Sequence, residues 1–334
     1  MSTHALNAEK LGARKPANIN RSMALEFVRV TEAAALAASR WMGRGDKNAA
    51  DQAAVDAMRR ALADLDMTGT IVIGEGEIDE APMLYIGEQL GNGGQKLDLA
   101  VAPLEGTTLT AKGGDNALAV IAAAEDGQFL HAPDTYMDKL AVGPMYDISA
   151  FSLDMTAEQI VQTAAKQKGI AVDELVVCML DKPRQQELID AVRAAGARLR
   201  LIPDGDVSGA IACAVEDTGV DILLGRGGGP EGVLAAAALR CLGGGMLGRL
   251  YFRNDEERAR ATKMGITDLD KTYTTEELAG GEVIFAATGV TNGAMLKGVR
   301  KLHTGEYETE SVVMRSKTRT VRWVRTRHQL GGDV

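Results

Sequence analysis

Aromatic side chains are scarce: Phe, Tyr and Trp together make up 4% of the 334 residues. Platforms for stacking nucleic-acid bases are hard to build from so few rings. A net charge of −9 also disfavours polyanionic partners. Cysteine is rare as well. Cys178, Cys213 and Cys241 are far apart, odd in number and without zinc spacing, so buried thiols in a reducing cytosol are expected rather than disulfides. The four histidines, His4, His131, His303 and His328, sit in no nucleophile or metal spacing. No serine occupies a nucleophile elbow, which removes the common acyl-transfer arrangements. Long apolar runs are missing too: none approaches the ~18 residues of a membrane span. The N-terminal stretch lacks the apolar core of a signal peptide. A cytoplasmic protein is expected, with residues 1–18 as a flexible tail.

What is present suits a packed α/β protein. Hydrophobic residues reach 46%, with 38 glycines, a composition for helices lying close on sheets. Amphipathic helices are predicted over 22–42 and 48–65, and strands over 70–74, 96–101, 116–124 and 128–132. From residue 155 the rhythm changes. Helices over 156–168, 184–195, 206–216 and 231–242 alternate with strands over 174–180, 198–202 and 220–225. That alternation predicts βαβ units in a parallel sheet. Strand patterns return at 282–288, 310–316 and 320–326. The expected division is a metal-binding α/β domain over 19–154 and a second α/β domain over 155–334 with a sugar-phosphate pocket.

In open parallel sheets, ligands gather at the carboxyl ends of strands. Those ends carry Lys182 and Arg184, then Asp204, Gly205 and Asp206, then Gly227, Gly228 and Glu231. Helix capping or surface charge would account for any one group, with Asp206 as an N-cap. Together they supply the cations, hydroxyl acceptors and glycines that a phosphosugar needs.

A second cluster is acidic. Between Arg60 and Lys96 there is no Lys or Arg, yet Asp64, Asp66, Glu75, Glu77, Asp79, Glu80 and Glu88 occur. Four of them fall in "GEGEIDE", residues 74–80, directly after an apolar strand. Converging carboxylates without counter-charge call for a hard divalent cation. In "RGDKNAAD", residues 44–51, Asp51 can reach the same place and Lys47 can meet a phosphate. Phosphate-monoester hydrolysis is among the slowest uncatalysed reactions and profits from such charge stabilisation. "GGGPEG", residues 227–232, also fits a dinucleotide loop, but Glu231 would repel a pyrophosphate.

With these residues in view, the chain resembles class II fructose-1,6-bisphosphatases, a branch of the lithium-sensitive sugar phosphatases. The motifs are "GRGDKNAAD", "IVIGEGEIDEAPMLYIGE", "PLEGT", "APDTYMDKL", "DKPR", "PDGDV", "GGGPEG" and "RCLGG". The resemblance implies a layered α/β/α/β/α sandwich of two domains and a homodimer or homotetramer. It implies Mg²⁺- or Mn²⁺-dependent removal of the 1-phosphate of fructose 1,6-bisphosphate, with sedoheptulose 1,7-bisphosphate as a further substrate in some members. By motif, Asp51 and Glu75 resemble ligands of one metal, and Glu105 and Glu231 ligands of another, helped by the Leu104 carbonyl. Asp79 and Thr107 resemble the pair that orients the attacking water, while Glu105, Gly106 and Thr107 face the scissile phosphate. Tyr136, Lys182, Pro183, Arg184, Asp204, Gly205, Asp206 and Gly228 resemble the sugar and distal-phosphate contacts.

One position departs from the pattern. The family reads Asp-Pro-x-(Asp/Glu)-Gly-Thr, and here the first residue is Ala102. A central metal ligand is therefore missing while the other site residues remain, the pattern of an introduced change rather than of decay. The expectation is an intact pocket in an inactive variant. The alternatives are a non-catalytic sugar-phosphate-binding protein and an inositol-phosphate phosphatase.

Overall fold

Small apolar residues on one side and polar ones on the other make the first two segments helical, α1 (Met23–Ser39) and α2 (Lys47–Ala63). The computed structural model describes residues 19–75 and 83–329, so the tail expected over 1–18 lies outside the described residues. Helix α2 begins where the Asp46 carboxylate accepts a hydrogen bond from the Ala49 N–H at 3.0 Å. Strands β1 (Met67–Ile73), β2 (Gln89–Leu90) and β3 (Gln95–Glu105) lead into the short helix α3 (Thr107–Lys112). Next come β4 (Leu118–Glu125) and β5 (Tyr136–Val142). The alternating part follows as α4 (Ala157–Lys168), β6 (Val176–Leu180), α5 (Gln186–Ala194) and β7 (Arg198–Ile202). It continues with α6 (Asp206–Ala212), β8 (Ile222–Gly228), α7 (Gly229–Leu242) and β9 (Gly245–Tyr251). Then come α8 (Asp255–Lys263), β10 (Thr272–Thr274) and α9 (Thr275–Leu278). Strands β11 (Val283–Gly289), β12 (Arg300–Lys301), β13 (Tyr307–Arg315) and β14 (Thr320–His328) complete the order.

Among the described residues the strands form two sheets. The eight-stranded sheet runs β12-β13-β11-β4-β3-β1-β2, with β14 added beside β13, and the six-stranded sheet runs β10-β9-β5-β8-β6-β7. Three apolar clusters bind them into layers. One joins α1 and α2 to the outer face of the eight-stranded sheet through Phe27, Met58, Leu99 and Ile121. Another fills the space between the sheets with the alanine-rich helix α7 and with Val207 and Ile211 of α6. The third packs α4 and α5 on the far face of the six-stranded sheet through Ile160, Ile189 and Leu224. The result is the expected layered α/β/α/β/α sandwich, and small side chains let its layers approach closely. No helix among the described residues is long and apolar enough to cross a membrane.

Two strand expectations need correction. The second sheet is not all parallel. Strands β6, β7 and β8 are parallel, but β5 inserts antiparallel between β8 and β9. The chain therefore crosses between sheets: β5 joins the six-stranded one, and β11 to β14 return to the eight-stranded one. Every residue of β11 is buried, so it needs strands at both edges and layers on both faces, and its place between β4 and β13 supplies them. The second correction concerns 128–132, which forms no strand beyond a single bridge from Phe129 to Ala279. There the N–H groups of Gln128 and Phe129 donate to the Asp98 carboxylate instead of to a neighbouring strand.

Candidate active site

The site grows from an irregularity in β3. Pro103 has no N–H to give to a ladder, and the pairing with β4 slips by one residue between Ala102 and Glu105. Side chains alternate faces along a regular strand, so positions 102 and 105 would point to opposite sides. With the extra residue, Leu104 turns to the α1/α2 side while Ala102 stays on the inter-sheet side. Glu105 is thereby brought to the same cavity wall as Ala102. Gly106 follows with φ 92°, a conformation other residues rarely adopt, and Thr107 opens α3.

The cavity measures about 290 Å³ and is lined by Asp51, Glu75, Ala102, Glu105, Gly106, Thr107, Asp204 and Glu231, among others. Each side chain arrives from a different element. Asp51 comes from α2, Glu75 from the end of β1, Asp204 from the turn after β7, and Glu231 from the first turn of α7. The carboxylates strain against one another. Burial, then the charges of Asp51 and Glu231, push Glu75 up to about 8. Burial first, then Asp206, Glu231 and Asp204, hold Glu105 well above the usual carboxylate range, although the Val207 N–H donates to it at 3.3 Å. Glu231 is raised by burial and by Asp206, with Lys139 opposing, and Asp51 is raised by burial.

The expected metal ligands share this cavity without closing on one point. Asp51, Glu75, Ala102, Glu105 and Glu231 all face it, yet no three His, Cys, Asp or Glu among the described residues stand close enough to hold an ion. Ala102 brings a methyl group to that wall. Asp79 lies outside the described residues.

The sugar-side residues other than Asp204 do not line that cavity, although Gly228 packs against Glu231 of its wall. A Cβ at Gly228 would lie 1.8 Å from Glu231 Oε2, and one at Gly227 would lie 1.9 Å from Asp206 Oδ2. These glycines make room for two carboxylates, a role their number alone did not reveal. Asp206 is no N-cap: Gly205, at φ 88°, holds that position. The Asp206 carboxylate instead takes a hydrogen bond and ion pair from Lys139 Nζ at 2.5 Å, in a place where both residues are buried. Tyr136 opens β5 opposite Gly228. The Arg184 guanidinium lies 4.5 Å from the Tyr136 ring centre, and Lys182 and Pro183 start the turn before α5.

Three basic residues here escaped the sequence analysis. Lys139 is only 2% exposed, unusual for a lysine. Arg253 sits 5.2 Å from the same Tyr136 ring and is held by buried Glu257, whose other oxygen accepts from the Thr135 hydroxyl at 2.9 Å. Arg226 makes two bonds to Asp138, at 2.7 and 3.0 Å, and stacks on Tyr251. A period-2 count down β5, where Tyr136, Asp138 and Leu140 share one face and Met137, Lys139 and Ala141 the other, could have flagged Lys139 as inward. Nothing local marks Arg253.

An acid-lined cavity with arginines on neighbouring strands is an arrangement that suits a phosphoric monoester hydrolase. The comparisons agree. The family described as bacterial fructose-1,6-bisphosphatase, glpX-encoded, matches residues 21–328. A fructose-1,6-bisphosphatase class 2 of Haemophilus influenzae is 45% identical over 93% of this chain and 97% of its own. A protein of Trichodesmium erythraeum, named D-fructose 1,6-bisphosphatase class 2/sedoheptulose 1,7-bisphosphatase, is 44% identical over 92% of this chain and 96% of its own. A protein of the same name from Synechococcus is 44% identical over 94% and 98%. The chain belongs to the bacterial, glpX-encoded fructose-1,6-bisphosphatase family.

Proposed function

We propose that the site is built to remove the 1-phosphate of fructose 1,6-bisphosphate, and of sedoheptulose 1,7-bisphosphate as a second substrate, with Mg²⁺ or Mn²⁺. The observation that carries this reading is the convergence of buried Glu105 and half-buried Glu75 and Glu231 on one cavity, each carboxyl held above its ordinary range. An all-oxygen, acid-rich donor set fits a hard cation, and the raised carboxyls mark charge that a ligand would relieve. Asp51, Glu75, Glu105 and Glu231 would hold it, with the Leu104 carbonyl as a helper. A bound divalent ion neutralises phosphate charge and activates water.

The chain's own groups do the rest. The Thr107 hydroxyl, on the cavity wall, orients the attacking water and passes its proton on, in concert with Asp79. Asp206, fixed by Lys139, accepts from a sugar hydroxyl beside Asp204 and Gly205. Tyr136, Lys182 and Arg184 hold the distal phosphate, whose dianion suits the guanidinium. The described carboxylates stop short of gathering, and Ala102 is where a shared ligand is missing. We therefore read this sequence as one that docks the bisphosphate and leaves it intact.

The Ala102→Asp variant tests the reading. Metal-dependent phosphate release from fructose 1,6-bisphosphate should rise at least tenfold. Metal affinity should rise about 10- to 100-fold, the span seen even for outer-shell changes. Turnover of the Ala102 protein within tenfold of the Ala102→Asp variant would sink the argument. A binding-only protein gains no turnover from this change, and preference for inositol phosphates in a substrate panel would redirect it.

A further inference from the structure

The eight-stranded sheet ends on β14, which has β13 as its one partner among the described strands. Its nine residues leave a long open edge, a feature that proteins normally shorten, bulge or cover. Trp323, near the middle, is 56% exposed. Arginines at 322, 325 and 327 are exposed as well, and charge on an edge commonly keeps other strands away. Here part of that charge is already met inside the sheet. Arg325 lies 3.8 Å from both Glu308 and Glu310, and Arg327 lies 3.8 Å from Glu308. Among the described residues no strand pairs with the outward backbone, and the exposed Trp323 indole stands beside it.

We propose that β14 pairs antiparallel with β14 of a second copy of this chain, centred on Val324, so that two sheets become one. The strand is self-complementary in that register. Val324 is the midpoint of Thr320–His328, so all nine residues find partners. Trp323 then faces Arg325 of the second copy, twice over by symmetry, an indole–guanidinium pairing that is itself attractive. Arg322 faces Thr326, Val321 faces Arg327, and Thr320 faces His328. No arginine meets an arginine. Centring on 325 or 322 would set an arginine against its own copy, and centring on 326 would set Arg325 against Arg327. A centre at 323 leaves Arg327 and His328 beyond the end of the facing strand. An isologous two-fold contact of this kind closes on itself and does not propagate into fibres.

The test uses the full chain and three variants, with oligomeric state read by light scattering and sedimentation. Directly opposed residues in antiparallel strands have Cα atoms about 4.5–5.5 Å apart, within disulfide reach. Under mild oxidation, Val324→Cys should give a dimer that survives denaturant and is released by reductant. Arg322→Cys should not, because residue 322 faces 326 and not itself. The native cysteines are all buried and do not compete. Trp323→Glu, at an exposed position that folding does not need, should raise the dimer dissociation constant on the order of 100-fold, as central tryptophans of interfaces do. A monomer at every accessible concentration overturns the proposal. So does a dimer in which the Val324→Cys variant fails to crosslink.

Discussion

The cavity between the sheets and the rim of the six-stranded sheet are opposites in charge and alike in incompleteness. In the cavity, Glu105 is buried and Glu75 and Glu231 are half-buried on the same wall, and the buried Lys139 nearby is committed to Asp206. At the rim, Arg184 reaches the Arg226 carbonyl, at 3.3 Å, and the face of Tyr136, with no carboxylate paired to it among the described residues. Folding does not repay either cluster. Acids driven together in a low-dielectric space cost stability, and an unpaired guanidinium gains little from a ring. The difference in sign suits a cation in one half and an anionic group in the other.

Substitutions can separate the halves. The largest effect is expected at Thr107. In the Ala102→Asp background, Thr107→Val should cut kcat by about 10²–10⁴-fold, the usual worth of a positioned proton-transfer group. KM should barely move. A loss confined to KM would assign Thr107 to binding alone and shift the chemistry elsewhere.

Lys139 joins the two regions, and its removal should show in stability. Breaking a buried ion pair from one side typically costs about 3–5 kcal/mol, so Lys139→Met should lower the urea midpoint markedly. Replacing both partners, Lys139→Met with Asp206→Leu, should recover most of that loss, because no charge is then left unmatched. Equal destabilisation in the single and double variants would mean that packing, not charge, fixes this pair.

Smaller effects are expected at the rim, and these sharpen the comparison. Arg184→Ala should raise KM for the bisphosphate about 10- to 150-fold, the span for a lost hydrogen bond to a charged group. Metal affinity should stay as it was. Arg253→Ala should follow in the same direction but by about tenfold or less, since its guanidinium Nε already donates to Glu257. Isothermal titration with fructose 1,6-bisphosphate and with Mn²⁺ separates the two affinities. An Arg184 variant that loses metal rather than sugar phosphate would dissolve the division into halves.

How much of this was visible beforehand differs by element. Strand β7 runs over 198–202 as its alternating residues predict, and α4 begins and ends within a residue of its pattern. Both are short-range matters: periodicity, a Thr156 cap and a Gly169 stop. The acids at the end of β1 and the groups after β6, β7 and β8 were also visible, because a strand delivers the next few residues to a predictable edge. By contrast, 128–132 has a strand's composition and becomes a loop, since Asp98, thirty residues away in the chain, takes its N–H groups. Arg253 resembles any surface arginine until Tyr136 is placed beneath it.

By itself, the sequence determined elements such as β7 and α4, the chemical types at the strand ends and the alanine at 102. These come from local preference and from residue identity, which no neighbour can alter. Only the tertiary structure decided that β5 would run antiparallel among parallel strands, carrying Lys139 inward to Asp206. Only the slipped register against β4 turned Glu105 to the side of Ala102, and only the packing of two sheets around α7 brought Glu231 to meet Glu75. Such meetings depend on which strand pairs with which, and in what register. That choice is made by the burial of whole faces, a sum over contacts distant in the chain, and no window of neighbouring residues contains it.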